Sequence, residues 1–71
     1  IMTVTPEFRA LAIKNAGEQL AIHSETLRLA ALGLLTPDAD NVFEHEYSVD
    51  EQVANAERMI KIYLETLAKF A

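Results

Sequence analysis

The chain has 71 residues, no cysteine, 51% hydrophobic residues and a formal net charge of −5. That bounds it to one small domain and excludes disulfides and thiolate-held metals, leaving oligomerisation as the common support for so small a core. Two glycines and two prolines are too few for a loop-rich or β-sandwich fold, so the expected class is all-α. No run approaches 18 apolar residues and no basic-then-apolar leader is visible, so neither a membrane span nor a secretory signal is expected. With no cysteine to oxidise, a cytoplasmic location is the natural expectation.

The first helix is predicted over about residues 6–32. Thr5 can cap it, Pro6 loses nothing at the first helical position, and Glu7 suits the positive end of the helix dipole. Gly33 should end it in a left-handed conformation, with Leu34 folding back toward Leu29. Gly17 is its weak point, because a mid-helix glycine costs about 1 kcal/mol relative to alanine. Either the helix bends there, or Gly17 and Ala21 let a neighbouring helix come close.

A connector, residues 33–47, follows. Thr36-Pro37-Asp38 resembles another helix start, which would make residues 37–44 a short connecting helix. Val42, Phe43 and Tyr47 would then plug the open end of a bundle. The second helix is predicted over about residues 49–70, opened by the capping box Ser48-Val49-Asp50-Glu51. Its apolar stripe (Val49, Val53, Ala56, Ile60, Tyr63, Leu67, Phe70) steps by four and three, the spacing of a coiled-coil-like seam. Glu57–Lys61 and Glu65–Lys69 are spaced for ion pairs on its outer face.

The first helix carries a matching seam: Ile13, Ala16, Leu20, His23, Leu27, Ala30 and Leu34. Folded as an antiparallel hairpin, the seams should pair Leu27 with Ala56, His23 with Ile60, Leu20 with Tyr63, Ala16 with Leu67 and Ile13 with Phe70. Phe8, Leu11, Ile22 and Leu29 form a second stripe, and Ile62 and Met59 lie off or at the edge of the other seam. Two helices cannot cover this extra apolar surface, so these six residues are the expected oligomer interface. The simplest result is an antiparallel homodimer forming a four-helix bundle, with a higher oligomer of the same hairpin as the alternative. No internal repeat stands out; the two Thr-Pro-acid triplets are one capping signal used twice.

Six of the eleven acids (Asp38, Asp40, Glu44, Glu46, Asp50, Glu51) lie in the connector and the start of the second helix, where there is no lysine or arginine. The remaining five acids face six bases, so all the excess negative charge belongs to one end of the hairpin. Asp50 and Glu51 are accounted for by the helix dipole. Asp38, Asp40, Glu44, His45 and Glu46 are left as candidate binders of a basic protein surface. In an antiparallel dimer this end would lie beside the basic termini of the partner. Arg9, Lys14, Lys61 and Lys69 at the terminal end are the alternative site, for a phosphorylated small molecule or nucleotide.

Other chemistry is poorly supported. Asp38 and Asp40 match the first ligands of a calcium loop, but Val42 stands where the next should be and the glycine is missing. His45 with its neighbours lacks enough ligands for a transition metal, and the di-iron signature Glu-x-x-His is absent. No metal or other cofactor is expected. Ser24 follows His23, but adjacent helical residues point about 100° apart, which rules out a nucleophile–base pair. A sequence pI near 4.8 and no basic stripe argue against direct nucleic-acid binding. Read from sequence, this is a non-enzymatic interaction protein.

Overall fold

The computed structural model describes residues 4–40 and 45–70. Two helices, α1 (Pro6–Ala31) and α2 (Val49–Phe70), pack against each other as a hairpin. Between them two short strands, β1 (Asp38–Asp40) and β2 (His45–Tyr47), form an antiparallel ribbon.

The ends of the helices follow local chemistry. Thr5 is the N-cap of α1, its Oγ1 accepting a 3.1 Å hydrogen bond from the Phe8 amide, and Pro6 opens the helix. At the other end Gly33 adopts φ 72°, its amide donating to the Ala30 carbonyl while the Leu34 amide donates to that of Leu29. This is a Schellman closure, which satisfies carbonyls left over by the last turn. Ser48 Oγ accepts from the Glu51 amide at 3.1 Å, the serine half of the expected capping box. α1 runs unbroken through Gly17, and a side chain at Gly17 would meet open space, so neither reading of that glycine is realised within one chain.

The connector corrects the expectation of a short helix over 37–44: residues 38–40 are extended and pair with 45–47. Thr36 precedes a proline, which disfavours the helical conformation there, and the ribbon lets backbone groups of the two strands satisfy one another. Val42, Phe43 and Glu44 lie outside the described residues. Tyr47 is 40% exposed, so it does not serve as a buried plug.

The helices meet at small residues. Ala16 and Ala56 are 0% and 1% exposed, and among the described residues no large side chain is fully buried. Alanine permits the close approach of two helix axes, and the larger seam residues, such as Leu20, Leu27, Ile60 and Leu67, are half-buried around that line. The ring contacts shift the expected pairing. His23 stacks on Tyr63 instead of meeting Ile60, with centroids 6.1 Å apart and planes at 18°. Phe70 is met edge-on by Phe8, at 5.9 Å and 69°. Side chains lean toward the N-terminus of their own helix, so His23 and Tyr63 reach past the residues directly opposite them; the Phe8–Phe70 contact is displaced the other way and does not follow from this lean.

The fold also brings out an internal repeat. The order of exposed, half-buried and buried positions along 11–30 recurs along 51–70, differing only at Leu29 and Lys69. In that alignment Asn15, Ala16, Ile22, Glu25, Thr26 and Leu27 correspond to the identical residues Asn55, Ala56, Ile62, Glu65, Thr66 and Leu67. His23 corresponds to Tyr63, the residue it stacks on. The hydrogen bonds repeat too: Thr26 Oγ1 donates to the Ile22 carbonyl and Thr66 Oγ1 to that of Ile62. The sequence carries the same signal, since Ile-x-x-Glu-Thr-Leu recurs at 22–27 and 62–67 and Asn-Ala at 15–16 and 55–56, both at an offset of 40.

Enlarging the close-approach residue tests this packing. Ala16→Leu should destabilise the hairpin by about 1–3 kcal/mol, since overpacking forces the helices apart. Urea unfolding followed by circular dichroism measures it; an unchanged midpoint would show that α1 and α2 do not meet at Ala16.

Candidate functional site

The acidic end is organised by one amide. Gln52, on the first turns of α2, donates from Nε2 to the carbonyl of Thr36 at 2.9 Å and to that of Tyr47 at 3.1 Å. One acceptor precedes β1 and the other ends β2, so a single side chain fixes both strands to the helix at the open end of the ribbon, where Asp38 pairs with Tyr47. Gln52 was not a candidate from sequence. The available signal was a glutamine beside Val53 on the packed side of α2, where a polar group needs partners.

The ribbon sets Asp38 opposite Tyr47, Ala39 opposite Glu46, and Asp40 opposite His45. Asp38 and Tyr47 line a shallow groove of 570 Å³ that also takes in Ile22, Thr26, Asn55 and Arg58. Glu46 is exposed, and strand alternation turns it to the side opposite Tyr47. The predicted partner-binding residues are thus brought to one end of the molecule without forming one convergent pocket: Asp38 faces the groove and Glu46 faces away. For Asp40 and His45 the structure gives the backbone pairing alone.

The groove contains a base as well. Arg58 donates to Asn55 Oδ1 at 2.7 Å, which holds its guanidinium along α2. On the outer surface of α1, Arg28 pairs with Glu25, and the hydrogen bond from Arg28 holds the Glu25 carboxyl below the usual carboxylate range. A lowered carboxyl pKa favours the folded state above its ordinary value, and this is lost as pH falls through the folded value. The pair is solvent-exposed, so the contribution is small. Among the described residues Glu57–Lys61 and Glu65–Lys69 form no ion pair; Lys69 Nζ instead lies 5.6 Å from the centroid of the Phe70 ring.

The alternative basic site is dispersed. Lys14 stands two residues before buried Ala16, and Lys61 two before half-buried Tyr63. Each is therefore about 200° round its helix from the seam and faces outward. Arg9 lines a separate shallow hollow with Val4, Pro6 and Ile13.

Of the expected oligomer residues, Phe8, Leu11, Ile22 and Ile62 are exposed, by 54, 64, 57 and 45% respectively, whereas Leu29 and Met59 are half-buried. Phe8 is partly engaged within the chain through its contact with Phe70. His23 is half-buried and uses its ring face against Tyr63. No helix among the described residues is long and apolar enough to cross a membrane. Comparison with protein-family models, curated proteins and solved structures yields no match.

Removing the anchor should free the ribbon while sparing the helices. Gln52→Ala is expected to cost about 1 kcal/mol and to raise amide hydrogen exchange at residues 45–47 relative to the middle of α2. Equal protection in both proteins would show that the ribbon is held by other groups.

Proposed function

We propose that this chain is a small non-enzymatic interaction protein that self-associates into a four-helix bundle and engages a basic partner surface through its acidic connector end. The observation that supports the reading best is the placement of charge. Of the six acids at this end, Asp38, Asp40 and Glu46 belong to a ribbon anchored to α2 and Asp50 and Glu51 to the first turn of that helix, and there is no lysine or arginine in that stretch of sequence. Anchoring matters because a pre-ordered acidic surface loses less entropy on binding than a free loop.

Self-association is supported by thickness and core. The molecule measures 43 × 28 × 15 Å, and its smallest dimension is little more than one helix with its side chains. Among the described residues the two that are fully buried are alanines, so burial of larger apolar groups requires a second layer. A phosphate-binding role at the basic end is the lesser reading, because Lys14 and Lys61 face outward from the seam.

Placement is distinguishable from net charge. Asp38→Lys, Asp40→Lys and Glu46→Lys combined should abolish binding of a lysine- and arginine-rich peptide in fluorescence anisotropy at physiological salt, with the helical circular dichroism unchanged. Glu7→Lys, Glu57→Lys and Glu65→Lys change net charge equally but lie elsewhere, and should retain most of the binding. Equal loss in both triple variants would overturn the proposal.

A further inference from the structure

The repeat relates α1 to α2 by a two-fold axis, and that axis determines what one broad face of the hairpin presents. Rotation that exchanges two antiparallel helices runs normal to the plane containing them, here through the His23–Tyr63 stack. Such a rotation leaves each broad face on its own side. Ile22 and Ile62 precede the stacked pair by one residue and so turn to one face, about 100° from the seam; Ser24 and Leu64 turn to the other. Phe8, Leu11 and Leu29 are separated from Ile22 by 14, 11 and 7 residues, close to whole numbers of turns, and lie on the Ile22 face.

The repeated residues prepare this face for burial. Ile22 and Ile62 remain 57 and 45% exposed although packing within the hairpin places no demand on them. Beside them, Thr26 and Thr66 direct their hydroxyls into their own helices, to the carbonyls of those same isoleucines. A threonine bonded in this way leaves its methyl group to pack and its polar atom already partnered. Asn55 is likewise engaged, by Arg58.

We infer that a second copy of this chain covers the Ile22–Ile62 face, with the internal two-fold axes of the two hairpins coincident and the hairpins antiparallel. This rests on the self-association proposed above and specifies its geometry. A surface with its own two-fold relation is matched by another with the same relation, because each contact then occurs in equivalent copies. Charge selects the direction: antiparallel hairpins set the acidic connector of one copy beside the terminal end of the other, which carries Arg9 and Lys69. Ile22 then approaches Ile22 of the second copy across the dimer axis, which runs between the hairpins at right angles to the shared internal axis, and Ile62 approaches its own counterpart. Hairpins pointing the same way would instead bring Ile22 to Ile62 of the other copy.

The absence of cysteine makes this directly testable with a short bifunctional thiol reagent. Light scattering at several concentrations first establishes whether the native chain is a dimer. With Ile22→Cys, the reagent should yield covalent dimer as the main product, and Ile62→Cys should do likewise; Ser24→Cys, on the opposite face, should remain monomeric on a denaturing gel. A native dimer in which neither single variant crosslinks, or in which mixed Ile22→Cys and Ile62→Cys chains crosslink only to each other, overturns the geometry and leaves self-association standing. A monomer at all concentrations overturns both. Light scattering on each variant before the reagent is added separates loss of assembly from absence of proximity.

Discussion

Two helices laid side by side enclose only a line of atoms, and that limit governs the rest of this molecule. Only small side chains are covered completely along such a line, and among the described residues Ala16 and Ala56 are the ones so covered. Every larger apolar side chain among the described residues retains some exposure to solvent. The hairpin therefore has well-made ends and a thin middle. Its helix caps follow standard chemistry at Thr5, Ser48 and Gly33, while its apolar burial is divided among half-covered residues.

The connector shows how a polar end is organised without a core. Acids crowded in one stretch would repel one another in a free loop, but residues 38–40 pair with 45–47 and Gln52 ties the open end of that ribbon to α2. The same arrangement divides the acids, since Asp38 is directed to the groove and Glu46 to the outside. A surface of this kind recognises charge over an area more readily than it coordinates a single ion, which suits a protein partner better than a metal.

The internal repeat ties the thin core to the exposed apolar face. Equivalent positions in the two helices carry the same alanine at the seam and the same isoleucine beside it, so the constraint of close packing and the exposed apolar face arise from one repeated pattern. The His23–Tyr63 stack occupies the centre of that pattern and joins its two halves by a ring contact. A histidine there needs no catalytic role to account for its position.

Much of this architecture is legible from local sequence. Thr5-Pro6, Gly33 and Ser48 through Glu51 define the helix ends because capping depends on neighbours in the chain, and the four-and-three spacing of the seams implies an antiparallel hairpin. What sequence alone decided was the presence, limits and facing sides of the two helices, together with the concentration of acids at one end. Tertiary structure decided the rest, because each remaining feature needs a partner distant in the chain. Residues 38–40 become extended only when 45–47 lie alongside, Gln52 acts only once both strand ends reach it, and His23 meets Tyr63 because side chains on antiparallel helices lean past one another. The repeat is divided between the two: the identities at an offset of 40 stand in the sequence, but that these positions pack alike is shown only by the fold.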